Sequence, residues 1–292
     1  MVMSDRKLLK RVKRFGATNF ESVKETAKRQ ADLLCRLREN GRDDPYIGLN
    51  DCRPDFCGLV RCSAGCWFNL RRRWLNGVFS AYKLFCHIPA THYEVRIIPQ
   101  AWQRPSGKLG SMNIQSAKQF LRRRLDTRNG RQAIMIGSYK VGKEPYVDRW
   151  IGEIHALVGG IDKFGLRRAL QVPFREADSY LYVNEISDLP NTLLEVLRPG
   201  ERVWQPPYAA EPSKVPGKKQ RAEYYRWLLC LESDERLLRY GCDRYFRPIA
   251  KTPRPIVAKV TKPRPNPYWL RPYRFGSHDD DCTCLVCRNR QD

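Results

Sequence analysis

Residues 150–160 read WIGEIHALVGG, an apolar run that closes on two glycines and carries two ionisable groups, Glu153 and His155, in its middle. A run of this kind reads as a strand within a sheet. Side chains alternate across a strand, so Glu153 and His155 share one face while Ile154 and Ala156 enter the opposite layer. A carboxylate and an imidazole two residues apart are a candidate pair for a hard divalent cation, Mg or Mn, which a carboxylate suits well. The plainer alternative is a solvated Glu153 beside a hydrogen-bonded His155.

The elements around this strand narrow the architecture. Residues 91–98 (THYEVRII) read as a strand, 115–125 (QSAKQFLRRRL) as a basic helix, 132–140 (QAIMIGSYK) as a second strand and 150–158 as a third. A short helix over 162–171 and a fourth strand over 179–184 complete the order β-α-β-β-α-β. That order is the split βαβ, or ferredoxin-like, arrangement of the α+β class, an antiparallel sheet with helices on one face and the other face open for a site. The third strand, bearing Glu153 and His155, is expected in a central position. Further helices are expected over 17–40, where apolar residues from Phe20 to Leu37 recur at helical spacing, over 66–85 and over 219–239. In the 66–85 helix an aromatic and aliphatic face turns inward, leaving Arg71, Arg72 and Arg73 outside.

Among 292 residues there are 54 Lys and Arg against 31 acidic groups, a net charge of +23. Such an excess points to a polyanionic partner, because each cation that neutralises a phosphate releases a condensed counterion. DNA is the first candidate, with Arg71, Arg72, Arg73, Lys118, Arg122, Arg123 and Arg124 as phosphate contacts. No apolar run approaches the roughly 18 residues of a membrane span, and the basic start lacks the apolar core of a secretory signal. A cytoplasmic location with no membrane partner is therefore expected.

Eleven cysteines in a reduced compartment read as metal ligands rather than disulfides. Cys52, Cys57, Cys62 and Cys66 form a C-x4-C-x4-C-x3-C run, four thiolates for a tetrahedral zinc, against the alternative of four ordinary cysteines. His278 with Cys282, Cys284 and Cys287 makes a weaker cluster in a polar tail better read as disordered. The chain thus divides into a helical, Cys-rich basic segment (1–85), the sheet domain with a C-terminal helix (86–245) and a basic Pro-rich tail (246–292). Pro253, Pro255, Pro263, Pro265, Pro267 and Pro272 favour extended polyproline geometry there.

Two stretches together resemble the replication initiators of rolling-circle plasmids, members of the HUH endonuclease group. The segment CSAGCWFNLRRRW, residues 62–74, is similar to that family's cysteine-rich stretch running into a basic, Trp-bearing helix. Glu153-Ile-His155 is similar to its metal strand, His-hydrophobic-His. The likeness spans about residues 50–185. It implies a metal ion on Glu153 and His155 that polarises a phosphate of single-stranded or hairpin origin DNA. A tyrosine then attacks, leaving a 5′-phosphotyrosine and a free 3′-OH that primes replication. Tyr224 and Tyr225, on the helix predicted after the sheet, are the candidate nucleophiles.

Two departures accompany the likeness. Glu153 stands where the family has His, and its Y-x-x-K pattern is not met, since Tyr224 is followed at that spacing by Trp227 and Tyr225 by Leu228. The competing expectation is a non-catalytic nucleic-acid-binding protein on the same fold, a degenerate initiator or regulator. RNA-recognition domains stack bases on paired aromatics of their central strands. Here the Glu153 face of the third strand offers Ile151 and Leu157, and the aromatics, Tyr180 and Tyr182, fall on the fourth strand. Gly107-Lys108 and Gly142-Lys143 lack the remainder of a phosphate-binding loop, so no fused helicase is expected.

Overall fold

The computed structural model describes residues 5–18, 20–39, 52, 66–128, 130–144, 148–170, 180–199, 202–203, 217–231 and 235–242. Cys57, Cys62, the second His/Cys cluster and the Pro-rich tail lie outside them. Helices α1 (Asp5–Arg14), α2 (Val23–Glu39) and α3 (Trp67–Phe85) precede strand β1 (Tyr93–Ile98), a short β2 (Gln103–Pro105) and α4 (Ile114–Leu125). There follow β3 (Ile134–Lys143), β4 (Arg149–Gly159), α5 (Lys163–Leu170), β5 (Tyr180–Glu185), α6 (Leu189–Leu197), β6 (Arg202–Val203), α7 (Lys218–Leu229) and β7 (Leu237–Tyr240).

The strands lie in the order β5-β1-β4-β3, with each of these neighbouring pairs antiparallel. The far edge of β3 is shared, β7 pairing antiparallel with residues 135–138 and β6 parallel with 142–143. An apolar run like that of β4 demands cover on both sides and both edges, and the interior position between β1 and β3 supplies it. Close packing across the sheet also depends on Gly152. A Cβ there would overlap the hydroxyl of Tyr139 on the facing strand. Burial pushes the Tyr139 phenol above its ordinary pKa, so the ring stays neutral.

Alternation divides the core in two. Val95, Met135, Ile154, Ala156 and Val183 meet Ala117 and Leu121 of α4 and Leu166 and Leu170 of α5 on one side. On the other, Ile134, Ile136 and Leu157 meet Trp74, Leu75 and Val78 of α3 and Leu193, Leu194 and Leu197 of α6. Each fully buried aliphatic side chain contributes on the order of 1.5–3 kcal/mol, so neither layer is incidental. The expectation of an open second face is thereby corrected: α3 and α6 close it over β3 and β4, and among the described residues the β1/β5 side stays partly accessible.

Local chemistry sets the helix boundaries. Ser22 and Glu25 form a reciprocal cap, Glu25 N–H donating to Ser22 Oγ at 3.2 Å and Ser22 N–H to Glu25 Oε2 at 2.7 Å, so α2 starts at Val23 and not near residue 17. Its buried stripe is Thr26, Gln30, Leu33 and Leu37, rotated from the apolar one. Two hydrogen bonds explain the rotation: Thr26 Oγ1 donates to Ser22 O at 3.0 Å, and Gln30 Oε1 accepts from Trp67 N–H at 3.0 Å, holding the start of α3. The helix expected over 219–239 is shorter, because residues 237–240 leave it to form β7 against β3.

Candidate nucleic-acid interface

Glu153 and His155 do share one face, on the side covered by α3 and α6, and both are buried. The nearest strand positions carry charge as well, Lys140 on β3 and Glu94 and Arg96 on β1. Lys140 Nζ donates to His155 Nδ1 at 2.9 Å, and His155 Nε2 lies 2.6 Å from Glu94 Oε1. An ammonium can only donate, so Nδ1 is the acceptor and the ring proton sits on Nε2, directed at Glu94. Arg96 Nε stands 3.2 Å from Glu153 Oε1 and 3.6 Å from Glu94 Oε1. Two cations and two carboxylates thus balance around a buried imidazole.

The last turn of α6 explains why a lysine is buried there. Its end carbonyls lack the i+4 partners of a continuing helix, and Glu195 O takes one bond from the capping Arg198 N–H at 3.3 Å. Glu195 O accepts from Lys140 Nζ, Val196 O from Ser138 Oγ and Leu194 O from Trp74 Nε1 at 2.9 Å. A cation at a helix C-terminus is favoured by the dipole as well.

A divalent cation does not fit this arrangement. Both His155 nitrogens are engaged, one by an ammonium, and the Glu153 carboxylate faces a guanidinium. Among the described residues no group of three or more His, Cys, Asp or Glu side chains is disposed to hold a metal ion.

Tyr224 and Tyr225 lie on α7 and are buried with the opposite layer. Tyr224 stacks on Trp150, ring centroids 6.4 Å apart, and accepts a long hydrogen bond of 3.5 Å from Arg236. Tyr225 donates to Asp32 Oδ2 at 3.1 Å. Trp150 alternates with Glu153 across β4, so the sheet itself separates the two tyrosines from Glu153 and His155. A residue the sequence did not single out, Glu223, anchors this helix: its carboxylate accepts from the N–H groups of Gly107 at 2.9 Å and Leu109 at 2.8 Å and from Trp150 Nε1 at 2.8 Å.

The arginines of α3 are mostly internal. Arg71 falls on the stripe of Trp67, Trp74 and Val78 and is buried, with its Nε donating to Glu21 O at 2.8 Å. Arg72 is buried beside it, and only Arg73 is exposed, donating to Asn69 Oδ1 at 3.0 Å. Expecting all three to face solvent missed that α2 covers this side of α3. Of the cysteine run, Cys52 and Cys66 are buried in one core cluster with Trp67 and Leu33, and Cys66 is the residue on which α3 begins.

The basic positions of the outer layer behave differently. Arg122 and Arg123 on α4 are exposed and Lys118 and Arg124 are half-buried; on α5, Lys163, Arg167 and Arg168 are exposed. Lys118 and Arg122 line a cleft with Arg239 of β7, while Arg123 and Arg124 line another with Phe120 and Thr127. The Arg124 guanidinium rests over the Phe120 ring, 5.6 Å from its centroid. Arg128 and Arg131 extend the exposed charge past the end of α4. Helix α5 adds Phe164, 75% exposed and one turn from Arg167 and Arg168. An aromatic ring among guanidinium groups suits bases and phosphates together.

No helix among the described residues is long and apolar enough to cross a membrane. Comparison of the chain with protein-family models, curated proteins and solved structures gives no match.

Proposed function

We propose that this chain is a nucleic-acid-binding protein on a ferredoxin-like, split β-α-β sheet, holding DNA along the outer surface of α4 and α5 without nicking it through Tyr224 or Tyr225. The observation that carries the reading is where the charge faces. Lys140, Arg96 and Arg71 have internal partners, whereas Arg122, Arg123, Arg167 and Arg168 lie exposed on two helices that pack on the same side of the sheet. The antiparallel order β5-β1-β4-β3 with α4 and α5 on one side supports the ferredoxin-like assignment. In this reading the relation to rolling-circle initiators is that of a chain keeping the scaffold and the binding without the metal and the nucleophile. Zinc on Cys52, Cys57, Cys62 and Cys66 belongs to the same reading on their spacing, and Cys52 and Cys66 are both buried.

The test is fluorescence anisotropy with single-stranded and duplex DNA over a salt series, paired with a denaturing gel for covalent adduct in Mn²⁺. Salt-sensitive binding, weakened when Arg122, Arg123, Arg167 and Arg168 are changed to Gln, and no adduct are the expected results. An adduct abolished by Tyr225→Phe would replace this reading with the initiator one.

A further inference from the structure

Helix α1 presents a second concentration of positive charge, away from α4 and α5. Lys7, Lys10, Arg11, Lys13 and Arg14 are all exposed, and the helix carries a single acidic residue, Asp5, at its first position. Among the described residues none of these five cations forms an ion pair. Lys7, Lys10, Arg11 and Arg14 recur three and four apart, spacings at which like charges on a helix repel.

What holds the helix in place is apolar and aromatic. Val12 is fully buried, in the cluster that α3 and α6 build on their side of the sheet, and Leu9 packs against it. Phe15 stacks on Phe79 and Tyr82 of α3 with centroids 5.6 and 4.2 Å away. The Arg11 guanidinium and the Lys83 ammonium both lie over Phe79, at 5.2 and 4.6 Å from its centroid. Docked in this way, α1 has Leu9 and Val12 committed to the layer of α3 and α6, while Lys7, Lys10, Arg11, Lys13 and Arg14 stay exposed. An anionic lipid surface needs an apolar face to enter the bilayer boundary, and Leu9 and Val12 are already engaged within the protein. A phosphate backbone needs only the charges.

We propose that α1 is a second phosphate-binding surface on the opposite side of the sheet from α4 and α5, so that one molecule bridges two nucleic-acid segments. The inference rests on the reading that the α4/α5 surface binds nucleic acid.

The experiment tethers a duplex to beads, adds the full chain at low salt, and measures capture of a second, labelled duplex. Wild type is expected to capture it. The variant Lys7→Gln, Lys10→Gln, Arg14→Gln is expected to bind the tethered duplex, to lose the second, and to melt no lower than wild type because repulsion within α1 is relieved. For the second capture, a series of single variants should each lower the salt slope by roughly 0.9 per phosphate contact removed. Wild type that binds one duplex but never two would overturn the bridging and leave the α4/α5 reading standing, whereas no DNA binding at all would remove both. Undiminished capture by the triple variant would assign bridging to another surface or to a second copy of the chain, and overturn the proposal. Loss of binding to phosphatidylserine vesicles with bridging intact would make α1 a membrane contact, and overturn it as well.

Discussion

The Lys140 ammonium lies 2.9 Å from Nδ1 of His155, on the lone pair that a metal ion would need. This contact gives the Glu153/His155 pair a structural meaning. The imidazole is a link between the lysine that caps α6 and a carboxylate on β1.

The first prediction concerns that link. Mg²⁺ or Mn²⁺ should leave the melting temperature of wild type unchanged, since the Glu153/His155 arrangement gains no ion on folding. Lys140→Met should destabilise by about 3 kcal/mol, the scale on which one partner of a buried charged contact is lost. Urea denaturation with and without Mn²⁺ measures both. A large metal-dependent shift in wild type would contradict the fit described for this site.

Removal of the Tyr225 hydroxyl deletes its hydrogen bond to Asp32. Tyr225→Phe should cost about 1 kcal/mol of stability and leave DNA affinity unchanged. Anisotropy and chemical denaturation on the same preparation separate the two effects, and a selective loss of DNA processing would restore the tyrosine as a functional group.

The exposed arginines predict a graded salt response. Each of Arg122, Arg123, Arg167 and Arg168 that contacts a duplex phosphate should contribute roughly 0.9 to the slope of log K against log salt. Arg71→Gln should instead reduce stability, because its guanidinium is buried against the Glu21 carbonyl. A slope altered by Arg71→Gln, with stability unchanged, would reverse this division of roles.

Acid should act through His92. Burial holds its imidazole below the ordinary value of 6.5, the backbone at Phe85 opposing that shift only in part. The unfolded chain therefore binds this proton more readily than the folded one. The His92 contribution to stability is complete above about pH 6.5 and is lost as pH falls below that value, through the depressed folded-state pKa. His92→Phe, which keeps a ring against Phe85, should flatten this part of the curve. Further losses at lower pH come from carboxylates held below their ordinary values by hydrogen bonds, Glu25 through Ser22 and Asp148 through Lys143. Midpoints of urea unfolding across a pH series would show whether the His92 step is present.

If Cys52, Cys57, Cys62 and Cys66 gather zinc, purified protein should carry it stoichiometrically by elemental analysis, and Cys66→Ser should release it and lower stability. Protein that folds zinc-free to the same stability would leave these as ordinary cysteines.

The sheet was legible because its signals are local and strong: β4 is a nearly unbroken apolar run, and the spacing of strands and helices around it admits few connections. Interior partners were harder. Arg71 belongs to a basic triplet that reads as solvated, yet its spacing from Trp67 and Trp74 sets it on a buried stripe. Gln30 is polar and buried because of a hydrogen bond made at a distance, with Trp67 N–H, and Thr26 because its hydroxyl bonds back to Ser22 O. Helix α6 carried a readable start, Asp188 accepting from Asn191 N–H at 3.0 Å with Pro190 in the first turn. The helix was nevertheless not among the expected elements, which is why the second face of the sheet was expected to be open. Strand β7 is too short to declare itself and exists only because the edge of β3 accepts it.

Glu223 has a consequence in time as well as in space. Its carboxylate accepts hydrogen bonds from the amides of Gly107 and Leu109, so those amide protons are shielded while α7 is docked. Solvent exchange at Leu109 then reports the lifting of a helix whose anchoring residue lies 114 positions further along the chain. The lifetime of one backbone proton becomes a clock for the docking of α7.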